Sequence, residues 1–409
     1  MVLEEVERDL RSIRLPRWGR VVRAEGVVPW LVVDGDGVPV RPIGGFLREF
    51  VARGSAAGSV RGYAYDLHRW WRFLQVIGVE WDRATCTEVR DFVLWMGQAV
   101  KPGAVARTRS AATAGQVNRV TGKAYPSDRY QARTIRHSNA VLRCFYEYWI
   151  EVGAGPLVNP VVRERVRGGR PHAHHNPLEV FRAEGRLRYN PKLPKPRPRA
   201  MPDERWVELF TGMRSNRDRA ILALAISSGA RAGELLGLTA ADLDWGDQLI
   251  RVRRKGSGTP QWLPASSEAF VWLRLWVDEL AEPAGGDPVW QTLRRRDGGR
   301  RRRLTYDALR AVLRRANTCL GTNWSMHDLR HTCALRMTRS QTLSLRDVQT
   351  ILGHAHLNTT QGYLIADEHE VLARVHRFLA EQQQPPSPAP AAAGYDAADL
   401  AVLLGGDRR

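Results

Sequence analysis

Three short segments in the second half of the chain concentrate arginine, histidine and tyrosine, residue types that bind anions and transfer protons. In the first, SSGARAGELLGL at 227–238, an apolar helix ends at a glycine, Arg231 follows, and a new helix begins with Glu234 in its first turn. A glutamate near a helix N-terminus is an ordinary feature of folds, and a lone arginine beside it would most simply lie on the surface. Taken alone, this segment predicts a turn between two helices.

The second segment is MHDLRHTCALRM, residues 326–337, which places His327 and Arg330 one helical turn apart and therefore on one face. His331 shares that side, four residues after His327, so a metal site with two histidines is an alternative. The HExxH arrangement that supplies a zinc site with its base is absent because position 328 is aspartate. The pattern therefore favours a role for these histidines without a metal.

The third segment is LGHAHLNTTQGYL, residues 352–364, in which His354 stands nine residues before Tyr363. A single tyrosine is more often a half-buried aromatic, and a histidine after a glycine is more often a turn residue. The segments carry more information together, because GARAGEL, HDLRH and LGHxxxxTTxxY in this order resemble the conserved boxes of the tyrosine recombinase, or phage integrase, family. The resemblance spans residues 201–380 closely and the helical region 44–152 only in pattern.

This resemblance implies a reaction at a DNA phosphodiester, with Tyr363 as the attacking residue. Displacement there builds negative charge on the non-bridging oxygens, which guanidinium groups stabilise; the family pattern assigns that task to Arg231 and Arg330. Tyrosine ordinarily has a pKa of about 10, so it needs neighbouring cations or a base to lose its proton. His327 and His354 occupy the positions of further proton-transfer and hydrogen-bonding partners.

Lys255 is the remaining candidate, because it falls on a predicted hairpin where the family places its catalytic lysine. Arginine supplies almost all the positive charge, and the only lysines are Lys101, Lys123, Lys192, Lys195 and Lys255. A lysine whose pKa is lowered by surrounding positive charge can protonate the departing sugar oxygen, which arginine cannot easily do. The implied mechanism keeps the phosphate-bond energy in a 3′-phosphotyrosyl link and needs neither metal nor nucleotide cofactor.

The part of the chain before these residues predicts a small hairpin and then a helical region. Residues 1–43 contain WLVVDGDGVPV, in which two β-prone runs flank Asp34-Gly35-Asp36-Gly37 and predict a small hairpin. From 44 to 152, apolar residues recur at three- and four-residue steps and predict four helices, the third capped by Thr87. Such helices form a compact bundle, which matches a core-binding, DNA-binding domain of the family in pattern.

Two polar stretches separate the predicted helices and domains. Residues 100–129 are rich in Gly, Ala, Arg and Thr and predict a mobile basic arm, either a DNA-contacting segment or a disordered insertion. Residues 153–200 are dense in Pro, Arg, Gly and His and predict a basic linker between domains. The three histidines in its PHAHH run lack a second ligand cluster, so a solvated linker is favoured over a metal site there.

A second domain is predicted from 201 to 382. Its helices are expected at PDERWVELF, at DRAILALAISSGA, and at about 266–283, 304–317, 326–339 and 345–352. LIRVRRKGSGTPQWLP predicts a β-hairpin with Gly256 and Gly258 at the bend. Residues 383–409 predict a flexible tail that ends in a short apolar tip.

Composition agrees with a nucleic-acid partner. The 409 residues carry a formal net charge of +19 and a pI near 10.6, and the simplest partner for such a chain is a polyanion whose counterions are released on binding. The four cysteines are scattered, which indicates reduced thiols and not a disulfide framework or zinc module. No run approaches the roughly 20 apolar residues of a membrane span, and no secretory signal opens the chain, so we expect a cytoplasmic protein.

Together these features predict an N-terminal all-α bundle followed in the sequence by an α+β catalytic domain that is mostly α with a small β-sheet. The two domains are expected to close as a C-shaped clamp on double-stranded DNA. The resemblance implies a site-specific recombinase that integrates, excises or transposes a mobile element, as a homotetramer on paired sites and with partner recombinases or accessory DNA-bending proteins. Two alternatives remain: a recombinase-derived DNA-binding protein or partner-dependent subunit that does not cleave by itself, and a type IB topoisomerase. The presence of all six candidate residues argues against a degenerate copy.

Overall fold

The computed structural model describes residues 8–101, 112–164, 186–193, 200–280, 283–294 and 301–354. Within these ranges the chain is mostly helical, with two small antiparallel sheets. The buried apolar residues form two large clusters, one within residues 13–161 and the other within residues 201–329. The predicted fold class, a helical N-terminal part followed by an α+β part, is confirmed.

The N-terminal part is a bundle of four helices. They are α1 (Arg41–Ala52), α2 (Ala57–Ile77), α3 (Cys86–Gln98) and α4 (Ala132–Glu151). Its core is aromatic, and the polar ends of the rings are satisfied inside it: Trp70 Nε1 donates to the Tyr146 hydroxyl at 2.9 Å, which donates to the Trp81 carbonyl oxygen at 2.9 Å. These bonds offset the cost of burying the polar atoms.

Two local details differ from the sequence prediction. The N-cap of α3 is Thr85 and not Thr87, because the Thr85 hydroxyl accepts from Thr87 N and Thr85 N donates to the Glu88 carboxylate. The hairpin consists of β1 (Arg20–Arg23) and β2 (Trp30–Val33), which are antiparallel. The DGDG sequence does turn, but it leads only to a single bridge between Val33 and Pro39.

The segment from 112 to 129, which we call the arm, also differs from the expected mobile loop. It folds back on itself through a bridge between Val117 and Ala124. Its tip contacts the C-terminal part: Asn118 Nδ2 donates to the Gly321 carbonyl oxygen at 2.8 Å. The described arm is therefore docked against the second domain, and residues 102–111 before it lie outside the described ranges.

The C-terminal part surrounds one almost fully buried helix. Its elements are α5 (Asp203–Thr211), α6 (Asn216–Ser228), α7 (Ala232–Leu235), β3 (Leu243–Asp244), β4 (Leu249–Arg253), β5 (Pro260–Pro264), α8 (Ser267–Asp278), α9 (Tyr306–Leu320), α10 (Met326–Arg339) and α11 (Leu345–Leu352). Helix α6 packs between α8 and α10, so all residues from 220 to 226 are buried. Its end therefore delivers the following turn, with Arg231, to a fixed place beside α10.

The sheet carries the predicted hairpin and one further strand. β4 and β5 pair antiparallel with Ile250 opposite Leu263, and β3 adds to the other edge of β4. Gly256 and Gly258 lie in the bend with φ values of 103° and 69°, as the hairpin prediction requires. No helix in the described ranges is long and apolar enough to cross a membrane.

The predicted linker is described only in part. Leu187 and Tyr189 pack against the aromatic core of the first domain, and Asn139 Nδ2 donates to Asn190 Oδ1 at 2.9 Å. Residues 186–190 thus run along the bundle. The histidines of the linker, Tyr363 and the predicted tail lie outside the described residues.

Candidate active site

Arg330 lies at the centre of the candidate site, on the first turns of α10, and is only 3% exposed. Its two terminal nitrogens donate to the carbonyl oxygens of Gly229 at 2.5 Å and Leu352 at 2.6 Å. One carbonyl ends α6 and the other ends α11, and such oxygens have no partner within their own helix. The Arg330 guanidinium therefore joins two helix ends to α10, and it is held in one orientation.

His354 follows α11 and contacts the same guanidinium, with Arg330 Nη2 lying 3.2 Å from His354 Nε2. Because a guanidinium only donates, Nε2 must be the accepting nitrogen, and the imidazole is neutral with its hydrogen on Nδ1. Burial, followed by the charges of Arg330, Arg231 and Arg254, lowers the pKa of His354 to about 4. The ring is thus uncharged near neutral pH.

Arg231 is held by a buried carboxylate at the start of α7. Glu234 accepts from Arg231 N at 2.8 Å and from the Arg231 guanidinium at 2.8 Å, and it also accepts from Arg254 NH1 at 3.2 Å. Burial opposes ionisation of this carboxyl, but the bonds from Arg231 and the charges of both arginines outweigh it, so the Glu234 pKa lies below its ordinary value. The Arg231 side chain keeps 30% of its surface exposed and can face a ligand.

Gly353 is required by this arrangement for two reasons. Its φ of 61° lies in the left-handed region, and a Cβ there would come within 2.8 Å of Arg254 Nε. Arg254 cannot easily move away, because it also donates to Gln261 and to the Ile351 carbonyl oxygen. The glycine before His354 therefore lets α11 end directly against the guanidinium of Arg254.

His327 lies one turn before Arg330 on α10, at the surface with part of its ring covered. Its pKa is lowered by this partial burial and then by the charges of Arg330, Lys123 and Arg231, whereas the charge of Asp328 raises it. Its ring stacks edge-on against His331 with centroids 4.1 Å apart, so the two-histidine face is present. Within the described ranges, no group of three or more His, Cys, Asp and Glu side chains could hold a metal ion.

Lys255 begins the bend between β4 and β5 and is exposed. Its backbone N donates to Glu234 Oε1 at 3.4 Å, which ties the hairpin to the carboxylate that holds Arg231. The structure thus brings together Arg231, Arg330, His327 and His354, and anchors the hairpin of Lys255 beside them. Tyr363, the sixth candidate, lies outside the described residues.

Three contributors to this site were missed from the sequence. Glu234 was interpreted as an ordinary first-turn glutamate and Arg254 as one of a basic run, yet both are buried and bonded to each other. Lys123 reaches the site from the first domain, with Nζ 2.5 Å from Asp328 Oδ2. The rarity of lysine in this chain was the one signal that could have singled out Lys123.

The low pKa of His354 predicts how stability depends on pH. In the folded state this pKa is about 4, below the ordinary value of 6.5, so the unfolded chain takes up the proton first as pH falls. The free energy of unfolding should therefore decrease between pH 6.5 and about 4. We expect a smaller decrease in His354→Gln, measured from urea midpoints across this range, and a ring resonance of His354 that titrates near pH 4.

His137 in the first domain is the matched control because its shift has the opposite sign. The hydrogen bond from its Nδ1 to Asp66 Oδ2, 2.6 Å long, raises its pKa against burial. Its contribution is present below about pH 6.5 and is lost as pH rises through the folded pKa, so His137→Gln should alter the profile above that pH. Equal acid slopes in wild type and His354→Gln would contradict the prediction.

Two sequence-family models match the chain. The model described as "Phage integrase family" matches residues 204–370 and therefore contains all the candidate residues. The model described as "Phage integrase, N-terminal SAM-like domain" matches residues 43–115, which contain most of α1 and all of α2 and α3. The two matches correspond to the two parts of the fold.

Curated relatives carry the name tyrosine recombinase XerC. The protein from Chromobacterium violaceum is 36% identical over 198 residues, 46% of this chain and 62% of the relative; that from Azotobacter vinelandii is 33% identical over 239 residues, 54% of this chain and 78% of the relative. The match thus spans less than two thirds of the Chromobacterium relative's length.

Among solved structures, the Tn1549 transposon integrase in complex with circular intermediate DNA is similar in fold. Its TM-score is 0.54 at 14% identity, over 82% of this chain and 99% of that one.

Proposed function

Because this chain belongs to the phage integrase family of tyrosine recombinases, we propose that it is a site-specific recombinase that cuts and rejoins double-stranded DNA through a 3′-phosphotyrosyl intermediate. The observation that carries the proposal is the convergence of Arg330, His354 and Arg231 around one small region. Arg330 Nη2 lies 3.2 Å from His354 Nε2, and Arg231 is close enough to depress the His354 pKa. Such a cluster of fixed cations suits an anionic phosphate.

The proposed first step is attack of the Tyr363 oxygen on the scissile phosphorus. The P–O bond to Tyr363 forms while the bond to the 5′ oxygen breaks, and negative charge builds on the non-bridging oxygens. Arg231 and Arg330 stabilise that charge, because their guanidinium groups are already oriented by Glu234 and by backbone carbonyls. Lys255 protonates the departing 5′ oxygen.

The histidines act beside the arginines. A neutral His354 accepts a hydrogen bond from Arg330 through Nε2, which leaves its Nδ1–H as a donor. Burial, and then the cations around it, lower the pKa of His327, so its ring is neutral and suited to accept the phenolic proton of Tyr363. In the second step, a 5′-hydroxyl of another strand attacks the phosphotyrosine and releases Tyr363.

The domains divide DNA binding between them in this proposal. Residues 44–152 form the core-binding domain and 201–382 the catalytic domain, joined by the linker at 153–200. The N-terminal segment 1–43 packs on the first domain through Ile13, Val28 and Val32, and the tail 383–409 follows the second. A net charge of +19 supports a clamp held mainly by phosphate contacts. Exchange between two duplexes requires four active sites, so we propose a homotetramer on paired DNA sites. Accessory DNA-bending proteins would join this tetramer, whereas partner recombinases would take the place of some of its subunits.

The biological substrate we propose is a mobile element that the chain integrates, excises or transposes. A two-site assay tests this: plasmids that carry sequences from both junctions of the gene's own locus should recombine, and plasmids with unrelated sequence should not. Relaxation of unrelated supercoiled DNA without exchange would instead indicate a type IB topoisomerase. Neither reaction, combined with tight binding, would indicate a subunit that depends on a partner.

The chemistry is tested with a suicide substrate, a nicked duplex from beside the gene's own locus, incubated in EDTA. We expect a covalent protein–DNA adduct on a denaturing gel, with the modified peptide containing Tyr363, because the arginines supply the charge that a metal would otherwise supply. A parallel reaction with Mg²⁺ should give a similar yield. An adduct that forms only with Mg²⁺, or none at all despite tight binding, would contradict the proposed mechanism.

A further inference from the structure

The tip of the arm is a rigid polar turn and not a loose loop. The Asn118 side-chain oxygen accepts from Val120 N at 2.9 Å and Thr121 N at 2.8 Å. Its amide nitrogen donates to the Tyr125 hydroxyl at 2.7 Å and across to the Gly321 carbonyl oxygen at 2.8 Å. Asn118 thus makes two accepting and two donating bonds, its usual capacity, and is only 6% exposed.

The turn meets the residues before α10 through reciprocal bonds. Thr121 Oγ1 donates to Asn323 Oδ1 at 2.5 Å, and Asn323 Nδ2 donates to the Lys123 carbonyl oxygen at 3.0 Å. Since the partners are about 200 residues apart in sequence, only the packing of the two domains against each other can bring them together. The contact is therefore a junction between the DNA-binding part and the catalytic part.

Lys123 extends from this junction into the cap of α10. Its ammonium donates to the Asn323 carbonyl oxygen at 3.3 Å, to Ser325 Oγ at 3.2 Å and to Asp328 Oδ2 at 2.5 Å. These three bonds match the three hydrogens of an ammonium group. Asp328 Oδ2 also accepts from Ser325 N and Ser325 Oγ, so Lys123 binds the same oxygen that closes the capping box.

Helix stability does not explain a lysine at this place. A positive charge near a helix N-terminus is unfavourable with the helix dipole, and Ser325 with Asp328 already caps α10 without it. Lys123 instead contacts the first turn of α10, where its two side-chain partners are Ser325 and Asp328. His327 lies between these two residues in the sequence, and Arg330 follows them. The charge of Lys123 also opposes protonation of His327.

We propose that Lys123 is a positioning residue that the first domain supplies to the catalytic site. By binding Ser325 and Asp328 when the two domains are closed, it fixes the first turn of α10 and, with it, His327 and Arg330. Closure of the clamp on DNA and assembly of the active site are then one event. The inference rests on the proposed function, because it assigns a role in that reaction.

The test compares Lys123→Met with Lys101→Met in the full-length protein. Lys101 is the matched control because it lies at the base of the arm and donates to the Ser127 carbonyl oxygen at 3.0 Å, within its own domain. Both variants lose one positive charge, so any general weakening of DNA binding should be equal. We expect single-turnover cleavage of the suicide substrate to slow by about 10- to 100-fold in Lys123→Met only, which is the cost of a small misplacement of catalytic groups.

Titration of the His327 ring by NMR separates positioning from loss of structure. The charged groups that face it are Asp328 and Arg330 on its own helix, Arg231 before α7, and Lys123, and the titratable His331 ring also faces it. Lys123→Met should raise the His327 pKa, and Asp328→Asn should lower it. If either substitution merely disordered the first turn of α10, the His327 pKa would shift in the same direction in both variants. Lys123→Arg keeps the charge and should keep the pKa near the wild-type value.

The outcomes distinguish this inference from the proposed function. Unchanged cleavage and an unchanged His327 pKa in Lys123→Met would overturn the inference and leave the proposed function intact. Equal slowing in Lys101→Met would also overturn it, because the effect would then come from net charge. If wild-type protein forms no adduct, the proposed function fails, and the titration still decides whether Lys123 acts on α10.

Discussion

Tyr363→Phe is expected to form no covalent adduct with the suicide substrate while binding it as tightly as wild type. Phenylalanine keeps the ring but lacks the oxygen that must bond to phosphorus, so the first step has no nucleophile. We expect the cleavage rate to fall by at least about 10⁴-fold, the scale seen when a nucleophile is removed. A denaturing gel measures the adduct, and a mobility-shift titration at fixed salt measures binding.

Tyr306→Phe is the matched control for this variant. Tyr306 begins α9 and is 53% exposed, so its hydroxyl can be removed without disturbing the core or the candidate site. Wild-type rates are expected for it. An adduct that persists in Tyr363→Phe would place the nucleophile on another residue, and the peptide attached to DNA would identify it.

Arg330→Ala is expected to lose both activity and stability. The buried guanidinium binds the carbonyl oxygens of Gly229 and Leu352, and its removal leaves both without these bonds in the interior. At about 1–3 kcal/mol for each of the two unsatisfied groups, the free energy of unfolding should decrease by about 2–6 kcal/mol. Cleavage should slow by at least about 10²- to 10³-fold, since a fixed donor to the phosphate is lost.

Arg330→Lys distinguishes charge from geometry at the same position. A lysine keeps the positive charge, but its single nitrogen cannot reproduce the separate bonds that two guanidinium nitrogens make to Gly229, Leu352 and His354. We expect it to recover part of the lost stability and little of the lost cleavage. Equal cleavage in Arg330→Lys and wild type would contradict an orienting role for the guanidinium.

Arg336→Ala on the same helix is the control for losing an arginine. Arg336 is exposed and pairs with Asp203 at the surface, where an ion pair contributes about 0–1 kcal/mol. Unfolding followed by circular dichroism and suicide-substrate cleavage should both remain close to wild type. A loss as large as that of Arg330→Ala would mean that the effect reflects net charge and not the buried network.

The histidine and arginine assignments link these experiments to the pH behaviour. Arg330 donates to His354 Nε2 and also contributes to lowering its pKa. Replacing Arg330 by alanine should therefore raise the His354 pKa towards its ordinary value, and the same NMR titration would record it. The cleavage rate, the free energy of unfolding and the His354 pKa are thus three independent measurements of the role of the Arg330 guanidinium.

The sequence by itself determined which residue types are present and which local elements carry them. The three- and four-residue spacing of apolar positions predicted a helix where α2 lies. Val60, Leu67 and Trp70 of that helix are buried, whereas Tyr63 and Trp71 at the same spacing are partly buried. The glycines of the β4–β5 bend were predicted because a left-handed φ is a local requirement. Periodicity and turn chemistry depend only on near neighbours along the chain, so a sequence displays them directly.

Only the tertiary structure decided how these residues meet. Burial of Arg330 between Gly229 and Leu352, the neutral tautomer of His354 and the role of Glu234 all depend on residues from separate helices. The Lys123 contact with Asp328 spans 205 residues, and the sequence alone predicted a loose arm there. Such contacts depend on how the two domains pack against each other. Because residues that hydrogen-bond across domains have no regular spacing along the chain, a single sequence does not reveal them.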